Sequence, residues 1–206
     1  MRMPSQKSSE VRRVPQRQRG HERVAALLEA AAGCFVEKGY EATTMTEVAA
    51  RAGASIGSLY QFFPTKEVLA QALLEQQSQA VYAELGKLAE QSASWSTEEL
   101  AERLCGFLVM FRKRHPAFVV LAESAPTPGS DGMAIRRRVR AELQALLARR
   151  APHRSSEEMY AAAVVVQQIM KAAIAIHAEP GMPGRQAAVA QLQHALQLYL
   201  HGVFAR

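Results

Sequence analysis

Ser55, Ile56, Gly57, Ser58 and Gln61 share one side of a short helical pattern whose other side carries Leu59 and Phe63. The five provide a carboxamide, two hydroxyls, a branched alkyl group and a bare stretch of backbone. That set matches the edges of base pairs rather than the needs of bond-making. Glutamine pairs bidentately with adenine, serine donates or accepts at several bases, and isoleucine packs on a thymine methyl. Gly57 has no side chain to hold the helix off a groove. Residues for covalent chemistry are not arranged in any familiar way: GxSxG, GxGxxG, Walker A, HExxH and CxxC patterns are all missing from the sequence. The six histidines are scattered, and His194 and His201, two turns apart, are too distant to share a metal. No catalytic residue, metal or cofactor is therefore expected.

The elements that must hold this side of the helix in place can be read from their caps. Thr44 with Glu47 three residues later forms a capping box. The helix it opens carries an apolar stripe of Met45, Val48, Ala49 and Ala52, and Gly53 ends it. Ser55 caps the second helix, Pro64 stops it, and Thr65 with Lys66 and Glu67 opens a third. Ala49, Gly53 and Leu59 stand at the spacing of a helix-turn-helix: a small contact residue, a turn glycine and an apolar anchor. Ahead of them Val24, Leu27, Leu28, Ala31, Ala32 and Phe35 form a stripe that predicts a scaffold helix ending at Gly39.

The run Gly39-Tyr40-Glu41-Ala42-Thr43-Thr44, followed by Ile56-Gly57-Ser58-Leu59-Tyr60-Gln61-Phe62-Phe63-Pro64-Thr65-Lys66-Glu67, resembles the N-terminal domain of the TetR family of transcriptional regulators. The resemblance covers about residues 21 to 70. It implies phosphate contacts from Thr43, Thr44, Tyr60 and Lys66, beside the base-facing Ser55, Ile56, Gly57, Ser58 and Gln61. Thr44 and Lys66 stand at helix N-termini, which favour an anion. Ile56 stands where similar proteins often have Lys or Arg, and Phe62 where His or Tyr is common, so the base preference is this chain's own.

Charge is unevenly placed. Residues 1–20 hold six basic side chains against one glutamate, whereas residues 21–66 hold four basic and five acidic ones. The first twenty residues therefore read as a flexible basic arm. Arg12, Arg13, Arg17 and Arg19 lie nearest the fold and are expected to neutralise phosphates or enter the minor groove. These twenty residues lack the apolar core of a secretory signal, and polar residues break every apolar stretch short of a membrane span. Cys34 and Cys105 sit in apolar helical patterns, so a cytoplasmic protein without disulfides is expected.

Beyond residue 67 the pattern is helical throughout, giving an all-α chain of about nine helices in three parts: the arm at 1–20, the helix-turn-helix at 21–67 and a larger bundle at 68–206. One long helix runs from Lys66 to about Gln91, and others span roughly 97–115, 116–124, 133–150, 157–178 and 185–205. The family resemblance implies that the bundle binds a small effector and forms a homodimer through its last two helices. Trp95, Phe107, Met110, Phe111, Phe118, Leu121, Met159, Tyr160 and Met170 are candidates for an effector pocket, which the sparse charge on these helices suggests is mostly apolar. Val189, Leu192, Leu196, Tyr199 and Val203 form the candidate dimer stripe, widened by Ala188, Ala195, Leu198 and Leu200. The expected function is a dimeric repressor on a palindromic double-stranded operator. A helical protein-binding adaptor and an all-helical enzyme are the alternatives.

Overall fold

Hydroxyl caps set most of the helix starts, and buried leucines decide which face of each helix turns inward. The computed structural model describes residues 16–123 and 132–205. Over these residues the chain forms nine α-helices and no strand. They are α1 (Gln16–Ala42), α2 (Met45–Arg51), α3 (Ile56–Phe62), α4 (Lys66–Gln91), α5 (Thr97–Arg114), α6 (Pro116–Glu123), α7 (Gly132–Arg150), α8 (Ser156–Ala178) and α9 (Arg185–Phe204). A 3₁₀ turn, Ser92–Ser94, separates α4 from α5.

Two hydrophobic clusters organise the molecule. The first gathers Leu27, Phe35, Val48, Leu59, Leu69 and Leu73 with neighbours from α1 to α4, and it also takes in Ala117 and Leu121 of α6. The second joins α4, α5, α7, α8 and α9 around Leu85, Leu104, Phe111, Leu143, Val166 and Leu196. Helix α4 belongs to both. Leu69, Ala70, Leu73 and Leu74 enter the first cluster, whereas Val81, Leu85 and Ala89 enter the second. At 1.5 Å per residue its 26 residues make a rod about 39 Å long. Phe118 of α6 and Ile135 of α7 also pack against both clusters.

The scaffold helix differs from expectation at each end. Helix α1 starts at Gln16, inside the stretch read as arm, so Arg17 and Arg19 stand on a helix; Arg19 is exposed. Arg12 and Arg13 lie outside the described residues. At the other end Gly39 breaks the helix with a φ of 78°, and helical hydrogen bonding resumes to Ala42. Helix α8 is long and apolar enough to cross a membrane by length and composition. Its apolarity follows from its place in the second cluster, where Ala163, Val166, Met170 and Ala173 are fully buried.

Candidate nucleic-acid interface

Helix α3 is short enough that its direction depends on its ends. Ser55 Oγ accepts the Ser58 amide at 3.2 Å, and the Phe63 amide closes the last turn on the Leu59 carbonyl at 2.8 Å. Leu59 is wholly buried beside Val48 and Ala49 of α2, and Phe63 is nearly so. The chain reverses between the helices at Gly53, whose φ of 60° would strain any other residue although the space around it is open. With Leu59 and Phe63 inward, Ser55, Ile56, Gly57, Tyr60, Gln61 and Phe62 are exposed and Ser58 is half-buried. Ile56, Tyr60 and Phe62 keep 39%, 48% and 39% of their surface open. So α3 presents a continuous outward surface that mixes apolar groups with an amide and hydroxyls.

Helix α2 is held by the expected capping box. Thr44 Oγ1 accepts the Glu47 amide at 3.3 Å, while Glu47 Oε2 accepts the Thr44 amide at 3.0 Å. Lys38 of α1 adds an ion pair to the same glutamate. That partner, with the two bonds from Thr44, pulls the Glu47 carboxyl from 4.5 down to about 2. At the other end of α2 Arg51 reaches Glu37 at 2.7 Å. Its guanidinium lies across Gly33, where a Cβ would come within 2.5 Å of it. Both cations of this region are thus matched by carboxylates, and the unit stays nearly neutral.

Two of the expected phosphate contacts, Thr43 and Lys66, are engaged within the chain itself. Thr43 is buried, with 2% of its surface open, and its hydroxyl donates to the Gly39 carbonyl at 2.8 Å, so it faces the break in α1. Lys66 turns back from α4 and donates to the Tyr40 and Glu41 carbonyls at 2.9 and 3.0 Å, with its ammonium 4.6 Å from the Tyr40 ring centre. The unpaired carbonyls at the end of α1 draw the cation there. Sequence reading missed these clamps because their partners lie 9, 14 and 26 residues apart and follow no helical period.

Comparison with known proteins identifies the family. Residues 27–73 match the model of bacterial regulatory proteins of the tetR family, and residues 96–200 match the tetracyclin repressor-like C-terminal domain. The chain belongs to the TetR family. It is 37% identical over 98 residues to the HTH-type transcriptional repressor KstR2 of Mycobacterium tuberculosis, a match covering 46% of each chain. It is 34% identical over 87 residues to the HTH-type transcriptional regulator YfiR of Bacillus subtilis, covering 40% of this chain and 42% of that one. The chain thus spans under half the length of these curated relatives. The crystal structure of the transcriptional regulator FadR of Bacillus subtilis in complex with stearoyl-CoA has the same fold. Its TM-score is 0.65 over 84% of this chain and 96% of that one, at 12% identity. The family consists of DNA-binding transcriptional regulators rather than enzymes.

In this TetR-family regulator the candidate effector residues do not converge on one place. Trp95, Phe107 and Met110 line an open cleft of about 850 Å³ between α4 and α5, where the Arg103 guanidinium lies 4.3 Å from the Trp95 ring centre. Phe111 and Phe118 line a different cavity of about 320 Å³, bounded by α4, α5, α6, α7 and α8. Leu121 packs into the first cluster and Met170 is fully enclosed in the second. Met159 lies under α9, in a groove with Tyr199 and Val203. Tyr160 is exposed, its hydroxyl accepting from Arg140 at 2.8 Å. Helical spacing reveals which residues are apolar but not which side of a bundle they reach.

Most of the candidate dimer stripe packs within its own chain. Leu196 is fully buried within its own chain, and Leu192, Tyr199 and Val203 pack against the second cluster. Among the apolar groups that α8 and α9 leave outside are Leu198, 59% open, Tyr160, 47% open, Val165, 39% open, and the exposed Ala161 and Ala195.

Proposed function

We propose that this regulator represses transcription as a two-fold dimer on a palindromic operator and is released by a small, mostly apolar effector. The outward surface of α3 carries the reading. Ile56, Gly57, Ser58 and Gln61 meet base edges, while Ser55, Thr44 and Tyr60 serve the backbone or the adjoining bases. Arg12, Arg13, Arg17 and Arg19 add a sequence-independent grip, in line with the near-neutral charge of the helix-turn-helix itself. A two-fold dimer sets two copies of α3 about one DNA turn apart, roughly 34–36 Å.

The effector acts by favouring a different separation of the two α3 helices. Support comes from Phe118. It meets Phe111 edge-on at 5.5 Å at the 320 Å³ cavity, and it also packs on the first cluster, where its neighbours Ala117 and Leu121 are buried. Helix α4 offers a second rigid link.

Sequencing the fragments that the purified protein retains from its own genome tests the proposal. The expected result is a palindromic motif with half-sites about one turn apart, and a Gln61→Ala variant that loses roughly 1–3 kcal/mol of discrimination at one base pair per half-site. Retention without a shared motif, or an affinity for duplex DNA that does not change with salt, would overturn it and favour a protein-binding adaptor.

A further inference from the structure

From Ala52 to Thr65 the chain carries no charged side chain. Three cations of the surrounding helices are committed within the chain. Lys38 pairs with Glu47, Arg51 reaches Glu37 at 2.7 Å, and Lys66 donates to the Tyr40 and Glu41 carbonyls. Helix α3 therefore lacks both charged modes of base reading. Arg or Lys on guanine O6 and N7, and Asp or Glu on the cytosine amino group, each need a group that is missing there. What α3 does hold is an amide that suits adenine, hydroxyls that suit either pair, and apolar groups that suit the C5 methyl of thymine.

The geometry of α3 sets these groups side by side. With Leu59 and Phe63 turned inward, the helical period puts Gln61 directly opposite them. Gly57 lies one turn earlier on the same side. A Cβ there would meet nothing within 4 Å, so nothing within the chain requires a glycine inside this helix. A close approach from outside does. Tyr60 and Phe62 border Gln61 on its two sides, and Ile56 stands one turn before Tyr60; all three are exposed. Among the described residues, Ile56 and Phe62 stand outside both hydrophobic clusters, so their apolar surface is free for a partner.

From this we infer that α3 selects A·T pairs, and that Ile56 and Phe62 determine the specificity by packing on the C5 methyl of thymine in the major groove. This selectivity names the chemistry of the operator proposed above and rests on that reading. Each buried methyl contributes about four-fold in affinity, about 0.8 kcal/mol at roughly 1.4 kcal/mol per ten-fold. A palindrome repeats the contact at a distant, independent site, so the two half-sites together contribute about fifteen-fold.

Competition binding of the full chain to its retained operator tests the inference, with each thymine in turn replaced by uracil, which lacks only the methyl. Two positions in each half-site should weaken binding by about four-fold, and a symmetric pair by about fifteen-fold. The ratio should be the same at low and high salt, because a methyl contact releases no counterion. Cytosine at such a position should bind more weakly than thymine, and 5-methylcytosine should recover about four-fold of the loss. Ile56→Ala and Phe62→Ala should each erase the uracil effect at one position and leave it at the other, with circular dichroism confirming that each variant is folded. The uracil comparison uses the unaltered protein, so it decides the methyl contact whether or not a variant folds. Equal binding of thymine and uracil at every position would overturn the inference and leave the operator reading standing. So would a uracil effect undiminished in both alanine variants, or a retained motif whose half-sites are specified by G·C pairs alone. Absence of any affinity for duplex DNA would overturn both.

Discussion

Thr44, Glu47 and Lys38 show how much of the reading unit rests on one exposed carboxylate. Glu47 bonds the Thr44 amide and pairs with Lys38, so its proton is held off until about pH 2. A folded-state pKa depressed from 4.5 means the stabilisation is complete above about pH 4.5 and is lost as pH falls toward 2. Glu47→Gln should therefore unfold more easily at pH 7 but show a flatter loss of melting temperature between pH 5 and 2, as thermal melts at stepped pH will read. Thr44→Ala should cost about 1 kcal/mol at neutral pH, within the usual range for a lost cap. Lys66 calls for a different experiment, because its ammonium is spent on the Tyr40 and Glu41 carbonyls. Lys66→Gln should lower stability by about 1–2 kcal/mol while leaving the salt dependence of DNA binding as it was. A phosphate contact would instead reduce the slope by about one. The caps were legible in the sequence because a cap needs only a hydroxyl and a spacing of three. The clamps were not, because they depend on how α1, α2 and α4 cross.

At the scale of elements, α2, α3 and α4 could be read almost to the residue from Thr44, Gly53, Ser55, Pro64 and Thr65, each of which acts on its own local backbone. The pocket could not. Phe111 and Met110 are neighbours in sequence, yet they line a narrower cavity and a wider open cleft on different sides of α5. A step of 100° along a helix separates the two, and only the packing of α4, α7 and α8 shows which side is enclosed. Helix α4 carries the element-level prediction. It runs unbroken from the first cluster to the second, and Gln76 is an exposed position between Leu73 and Val81. Gln76→Pro should break the rod at a cost of about 3 kcal/mol, and Gln76→Gly should soften it at about 1 kcal/mol. If α4 transmits the effector signal, both variants should still retain DNA but show a graded loss of effector-driven release in a titration. Full release from the proline variant would assign the coupling to α6.

For the whole molecule, the proposed dimer raises the question of which surface brings two copies together. The regular stripe Val189, Leu192, Leu196, Tyr199 and Val203 was the natural reading of α9, and the fold turns Leu192, Leu196, Tyr199 and Val203 of it toward the chain's own core. A helix whose apolar residues exceed one face must bury the strong stripe first, and the weaker one is left for a partner. Leu198 with Val165, Ala161 and Ala195 stays open, next to the groove of about 440 Å³ between α8 and α9 that Leu198 and Tyr199 line. Two such surfaces facing each other across a two-fold axis would form a four-helix contact made of α8 and α9 from each copy. Leu198→Glu places a charge in the middle of that contact. The side chain is 59% open in the single chain, so the fold itself should change by no more than about 0.5 kcal/mol. Sedimentation should then show a folded monomer where the parent chain is expected to be a dimer. Its DNA affinity should fall by about 10²-fold or more, since one half-site must hold without the effective concentration supplied by the other. Leu192→Glu, which charges a half-buried residue of the inward stripe, should unfold the bundle instead of splitting it. A Leu198→Glu protein that remains dimeric with full affinity would return the contact to another surface.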